Sequence, residues 1–232
     1  DHRGPEYQRI LVPSIFGGRL AYFAQRADNL WVVVFGEEES QPHVGVISHH
    51  PSYENPFQGA DRTFRYKKGT QSNTAEYVLG MAMVNGKLVY ISKDQEERQS
   101  LEIFGEESGK RYYKILQITK FRDQIAYVAI TETQYGKDKQ VLVIGRQEGR
   151  PLFEEIRLES LADINEKPTY IGMDGRVFYR IVHGDEISRP YTLINNPVKI
   201  GNGIAFSAAN SEAGGRFIVF NGIEGPEFER IG

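Results

Sequence analysis

The sequence predicts an all-β fold, a β-propeller of about five four-stranded blades. Three observations carry that expectation. An aromatic-centred segment recurs five times, a second apolar segment follows each copy at a near-constant interval, and glycines with acidic residues fall where hairpin turns are required.

The first recurring segment is a turn residue, a polar residue and alternating apolar positions around an aromatic. It reads GRLAYFA at Gly18–Ala24, GKLVYIS at Gly86–Ser92, DQIAYVA at Asp123–Ala129, GRVFYRI at Gly175–Ile181 and NGIAFSA at Asn202–Ala208. This framing places Tyr22, Tyr90, Tyr127, Tyr179 and Phe206 in one register. Period-two alternation is the signature of a strand whose two faces meet different surroundings.

The second segment ends on a turn residue: LWVVVFG at Gly36, SLEIFG at Gly105, QVLVIG at Gly145, YTLIN at Asn195 and RFIVFNG at Gly222. The interval from first turn residue to second is 18, 19, 22, 20 and 20 positions. These segments are nearly continuous in large apolar residues, as strands buried on both faces are. GEEES, GEESG, GRQEG and GIEGP follow, and glycine there supplies the positive φ of a tight hairpin. An outer strand is expected next, at KRYYKI (Lys110–Ile115), PLFEEI (Pro151–Ile156) and PEFERI (Pro226–Ile231). PHVGVI (Pro42–Ile47) is a weaker copy, and PEYQRI (Pro5–Ile10) stands near the N-terminal end. Short strands such as LVPSIF (Leu11–Phe16) and LQITKF (Leu116–Phe121) precede the aromatic-centred segment. An isolated hairpin is marginal in water, whereas stacked sheets cover one another's apolar faces.

At these residues the chain resembles the TolB-type, WD40-like propeller repeats of bacteria. In those repeats a G-K/R-apolar-A-Y/F strand is followed by an apolar strand and a Gly/Glu-rich turn. The resemblance spans most of the chain at the level of the repeat. It implies a propeller and an extracytoplasmic setting, periplasmic or secreted, and it implies no activity. The S-P-D-G turn usual in that group is replaced here by FGGR, VNGK, FRDQ and MDGR.

A single domain over residues 1–232 is expected, with two breaks in the repeat. Gly18 and Gly86 are 68 positions apart, which predicts a loop insertion at about 48–75, joining the outer strand of one blade to the inner strand of the next. Gly175 and Asn202 are only 27 apart, which predicts one incomplete blade. The chain starts at Asp1 rather than Met, as expected of a processed or trimmed polypeptide.

The formal net charge is -3, from 28 basic and 31 acidic residues, so a nucleic-acid partner is not predicted. No apolar run approaches the roughly 20 residues that span a bilayer, so membrane insertion is not predicted either. The chain has no cysteine, which removes disulfides, thiolate metal ligands and a cysteine nucleophile. No G-x-S-x-G elbow, P-loop, H-E-x-x-H or EF-hand spacing occurs, and no catalytic residue, metal or cofactor is assigned.

Candidate ligand-binding residues lie on loops, where a rigid scaffold most often carries function. The insertion offers His49, His50 and Tyr53, and other loops offer Arg26, Asp28, His183 and Asp185. Lys93, Asp94, Glu132 and Glu212 share that loop set. The expected function is a non-catalytic scaffold whose partner is another protein or a polar small ligand. The alternatives are a glycan-active hydrolase or lyase, which needs paired carboxylates, or a carbohydrate-binding lectin on a small propeller.

Overall fold

The computed structural model describes residues 6–46, 67–68, 75–76, 81–106, 109–134, 137–150, 152–175, 177–211 and 214–228. His49, His50, Tyr53 and most of the expected insertion lie outside these residues. Among the described residues every regular element is a β-strand, and the strands form five antiparallel sheets plus one short ladder. The chain divides into two compact units, residues 1–120 and 121–232.

Sheet one runs β1 (Arg9–Phe16), β2 (Arg19–Gln25), β3 (Trp31–Phe35) and β4 (Glu38–Glu39) in that order. Its first hairpin turns on Gly17 and Gly18, both at positive φ (56° and 78°). Two successive positive φ values make the turn whose twist matches the flanking strands. Sheet two contains β5 (Gly45–Val46), then, beyond the β6 (Lys67–Lys68) and β7 (Ala75–Glu76) ladder, β8 (Met81–Val84), β9 (Lys87–Lys93), β10 (Gln99–Ile103) and β11 (Arg111–Tyr112). Both β5 and β8 pair with β9, Val46 opposite Ser92 and Met81 opposite Tyr90. The extra residues therefore interrupt the first strand of sheet two, and the expected placement between two blades is corrected. The strand keeps its alignment because the two halves share one partner.

Sheet three runs β12 (Lys114–Phe121), β13 (Gln124–Gln134), β14 (Lys137–Ile144) and β15 (Gln147–Glu148). Sheet four runs β16 (Glu155–Ile164), β17 (Lys167–Asp174), β18 (Phe178–His183) and β19 (Glu186–Ile187). Sheet five holds β20 (Leu193–Ile194), β21 (Val198–Ile200), β22 (Gly203–Ala209), β23 (Phe217–Phe220) and β24 (Ile223–Glu224), with β20 and β21 both on β22.

Sheet four corrects two expectations. The GRVFYRI segment lies on the third strand, β18, and the second strand is β17. Its turn is Asn165-Glu166, both at positive φ, so the residue in register with Tyr22, Tyr90, Tyr127 and Phe206 is Tyr170 and not Tyr179. Both strands of this hairpin alternate around a tyrosine, Tyr170 and Tyr179, and the glycine turn precedes the second of them, which draws the sequence frame to Gly175. With the frame moved, the spacing is regular and sheet four has all four strands. No blade is incomplete at that point.

The outer strands are also shorter than expected. They are the two-residue pieces after the acidic turns, β4, β15, β19 and β24. The P-x-aromatic segments act as crossovers. His43, Phe153, Tyr191 and Phe228 each bridge the start of a third strand, at Trp31, Gln140, Tyr179 and Arg216. Tyr112 does the same at Gln99 as part of β11. Three residues further on, Val46, Ile156 and Ile194 enter the first strand of the following sheet.

The crossover aromatic packs onto the second strand of the sheet it leads into. Tyr191 meets Phe206 at 5.7 Å between ring centroids, Tyr7 meets Tyr22 at 6.1 Å and His43 meets Tyr90 at 5.5 Å. The cores follow from this. In the first unit Phe16, Phe23, Val33, Met81, Leu88 and Tyr90 form one cluster, and in the second Ile171, Ile181, Tyr191, Phe206, Phe217 and Val219 form another.

Phe153 sits so close to Gly172 that a Cβ there would come within 2.5 Å of its ring. Gly172→Ala is expected to destabilise the chain by about 1–3 kcal/mol, the usual cost of overpacking. Phe153→Leu should restore part of the loss, as measured by urea unfolding of the single and double variants. Additive losses would show that the two positions do not compete for space.

Candidate functional site

Because five sheets share one register, each serves as a control for the others. In sheet one Tyr22 faces Val34 and Ala24 faces Val32. In sheet three Tyr127 faces Val143 and Ala129 faces Val141. Sheet five places Phe206 against Val219 and Ala208 against Phe217. Sheet four places Tyr170 against Val182 and Gly172 against Arg180. Sheet two departs at three of these four positions: Tyr90 faces Glu102, and Ser92 faces Ser100. The crossover aromatic is also replaced there, by His43.

Ser92, Ser100 and Glu102 are 4–5% exposed, and Glu102 is the one buried charged side chain among the described residues. Burying an ionised carboxylate costs free energy unless hydrogen bonds compensate. Ser92 Oγ donates to Glu102 Oε1 at 2.7 Å. Ser100 Oγ donates towards the carbonyl oxygens of Gly109 and Lys110 at 3.0 and 3.1 Å. His43 Nε2 lies 3.0 Å from the Tyr90 hydroxyl. Burial pushes the Tyr90 phenol up to about 12, so it is protonated near neutral pH. Burial lowers the His43 pKa from 6.5, opposed by the charge of Glu102.

His43, Ser92, Ser100 and Glu102 line a cleft of about 180 Å³ whose other walls include Pro42, Lys93, Asp94, Arg98 and Arg111. Asp94 Oδ1 accepts the backbone N–H groups of Glu96 and Arg98, both at 2.9 Å, and Oδ2 pairs with Arg111 at 3.0 Å. Asp94 thus shapes the β9–β10 turn. Lys93 pairs with Glu97 across the same turn. Arg98 places its guanidinium carbon over the Tyr113 ring, 3.4 Å from the centroid. The arrangement combines hydrogen-bond donors and acceptors at a buried floor with fixed charges around them. It suits a small polar ligand.

Of the described residues singled out from the sequence, Lys93 and Asp94 line this cleft and the others do not. Arg26 and Asp28 sit on the exposed β2–β3 turn, 3.9 Å apart, where Asp28 accepts the Leu30 N–H. His183 and Asp185 belong to the β18–β19 turn, the third-to-fourth strand connection of their sheet, because of the frame change in sheet four. His183 Nδ1 is 2.8 Å from Thr169 Oγ1, and burial followed by the nearby Lys167 lowers its pKa. Asp163 forms a two-pronged pair with Arg122 at 2.6 Å, and the Arg122 hydrogen bonds hold its carboxyl below the usual range. Among the described residues no group of three or more metal-ligating side chains occurs. Among the same described residues no helix is long and apolar enough to cross a membrane.

Sequence reasoning passed over Tyr90 as a site residue, together with His43, Ser92, Ser100, Glu102 and Arg98. The signal was each polar residue's departure from its own repeat: SLEIF carries Glu where WVVVF and QVLVI carry Val, and GKLVYIS ends in Ser where the other four copies end in Ala or Ile.

No family model matches the chain, and no curated protein matches it. Among solved structures, a puromycin-hydrolysing peptidase from Mycobacterium tuberculosis aligns with 96% of this chain and 37% of its own, at 10% identity and a TM-score of 0.32. Likeness at that level carries no conclusion about fold or activity.

The His43 imidazole gives a pH test. Its folded pKa lies below 6.5, so the unfolded chain takes up a proton first as pH falls. Its contribution to stability is complete above 6.5 and is lost as pH falls through the folded value. His183 works in the same direction. The expected outcome is that His43→Phe, which restores the aromatic of Phe153, loses less urea resistance between pH 7.5 and 5.5 than the unaltered chain. Equal losses would contradict a buried neutral His43.

Proposed function

We propose that this chain is a non-catalytic ligand-binding scaffold of the β-propeller type, and that its ligand is a small polar molecule held in the His43–Glu102 cleft. The single observation that carries the reading is the set of polar replacements at one place in one repeat. Four positions that elsewhere hold mostly aromatic and aliphatic residues hold His43, Ser92, Ser100 and Glu102 here, and they line one cleft. Polar groups at core positions cost stability, and such costs concentrate where function requires them.

The propeller part of the proposal is supported by the repeated strand order, by crossovers that each lead into the next sheet's first strand, and by the resemblance of the repeat to TolB-type, WD40-like propellers. An extracytoplasmic setting belongs to the same proposal and rests on that resemblance. A glycan hydrolase needs two carboxylates free to act. Of the two in the cleft, Asp94 is engaged by two backbone amides and Arg111, which favours binding over catalysis.

Trp31, the only tryptophan, exchanges two backbone hydrogen bonds with His43 at 2.8 and 2.7 Å. Its fluorescence therefore reports on the cleft. In a screen of small polar solutes, a ligand is expected to change Trp31 emission and raise the melting temperature by a few degrees, as binding to the folded state requires. Ser92→Ala should remove both effects. Hits that persist in Ser92→Ala, or hydrolysis of aryl glycosides lost in Asp94→Asn, would contradict the reading.

A further inference from the structure

We propose that the cleft takes a zwitterion carrying an ammonium and a carboxylate group, of the size of an amino acid or dipeptide; this rests on the reading of the cleft as a ligand site. The argument is a charge inventory. Asp94 is neutralised by Arg111, and Lys93 by Glu97. Two charged groups lining the cleft remain without an opposite charge among the described residues. One is Glu102, whose carboxylate is met by the Ser92 hydroxyl. The other is Arg98, whose guanidinium is held by the Tyr113 ring.

A carboxylate has room for several donors, so one hydroxyl leaves Glu102 most of its acceptor capacity. A guanidinium stacked on a ring keeps its N–H edge for a planar anion, and stacking fixes its direction. A simple amine would satisfy Glu102 and leave Arg98 unmatched. A simple carboxylate would satisfy Arg98 and place a second anion near Glu102. A molecule bearing both groups meets both needs. His43, neutral at pH 7, adds no charge against the ammonium.

Size agrees with this class. The cleft volume of about 180 Å³ equals about six water volumes at roughly 30 Å³ each. Arg98 and Glu102 are four residues apart along an extended segment, about 13 Å between Cα atoms at ~3.3 Å per residue. Both side chains line the one cleft, and an extended dipeptide spans about 7 Å at ~3.5 Å per residue.

The test is calorimetric titration of the whole chain at pH 7.5 and low salt with L-alanine, glycylglycine, propylamine and propionate. At least one zwitterion is expected to bind ten times or more tighter than either singly charged probe. Glu102→Gln should weaken the zwitterion tenfold and leave propionate unchanged. Arg98→Gln should weaken it similarly and leave propylamine unchanged, while Arg98→Lys retains part of the affinity. Circular dichroism and Trp31 emission check that each variant is folded. Zwitterions that bind no tighter than their halves, or that ignore both substitutions, overturn the proposal. A neutral polyol that binds and is lost in Ser92→Ala would keep the cleft as a ligand site and overturn the zwitterion. No binding by any probe at millimolar concentration would overturn the zwitterion and leave the cleft to the wider solute screen.

Discussion

One contact organises each repeat: the crossover side chain laid on the second strand of the sheet that follows it. Without it, each sheet is a set of short strands whose outermost member is two residues long. His43 and Tyr191 each bridge the previous sheet through the backbone and meet the next through the ring. A single residue therefore sets both the spacing and the register of neighbouring sheets within a unit. The small residue facing that ring is part of the same constraint. Ala208 adds little bulk beside Tyr191, and Gly172 adds none, so that Phe153 fills the space.

That constraint gives sheet two its meaning. His43 keeps the ring and hence the packing, yet it brings a second nitrogen and a hydrogen bond to Tyr90. Once the ring is polar, Glu102 and the serines at 92 and 100 can be buried beneath it with partners. The result is a polar floor inside an otherwise apolar repeat, with the Asp94 turn and the stacked Arg98 forming its edge.

The sheet-forming segments were legible because strand alternation and turn chemistry are local. Four of the five aromatics occupy the predicted register, and the first strands at Leu11–Phe16 and Leu116–Phe121 are strands. The fourth repeat was misframed because both sides of the β17–β18 hairpin alternate around a tyrosine, and only cross-strand pairing separates them. The outer strands were misplaced because a crossover with one backbone bridge has the same apolar pattern as a strand. The site was hidden for a different reason. PHVGVI reads as a poor copy of the crossover segment, and its weakness is the replacement of the aromatic by His43. Attention to loops favours exposed residues such as Arg26 and Asp28, whereas the cleft's distinguishing groups lie on strands and become visible only when repeats are aligned strand by strand.

The central claim is that sheet two holds its polar residues at a cost. The most direct measurement is the unfolding free energy of the ligand-free chain with Glu102→Val and Ser92→Ala together, the residues that sheets one and three carry at these positions. The account predicts a more stable protein by about 1 kcal/mol or more, since apolar replacement of a buried polar pair is commonly stabilising. A clear loss of stability would mean that Glu102 and Ser92 serve the fold itself, and the case for a binding cleft would lose its basis.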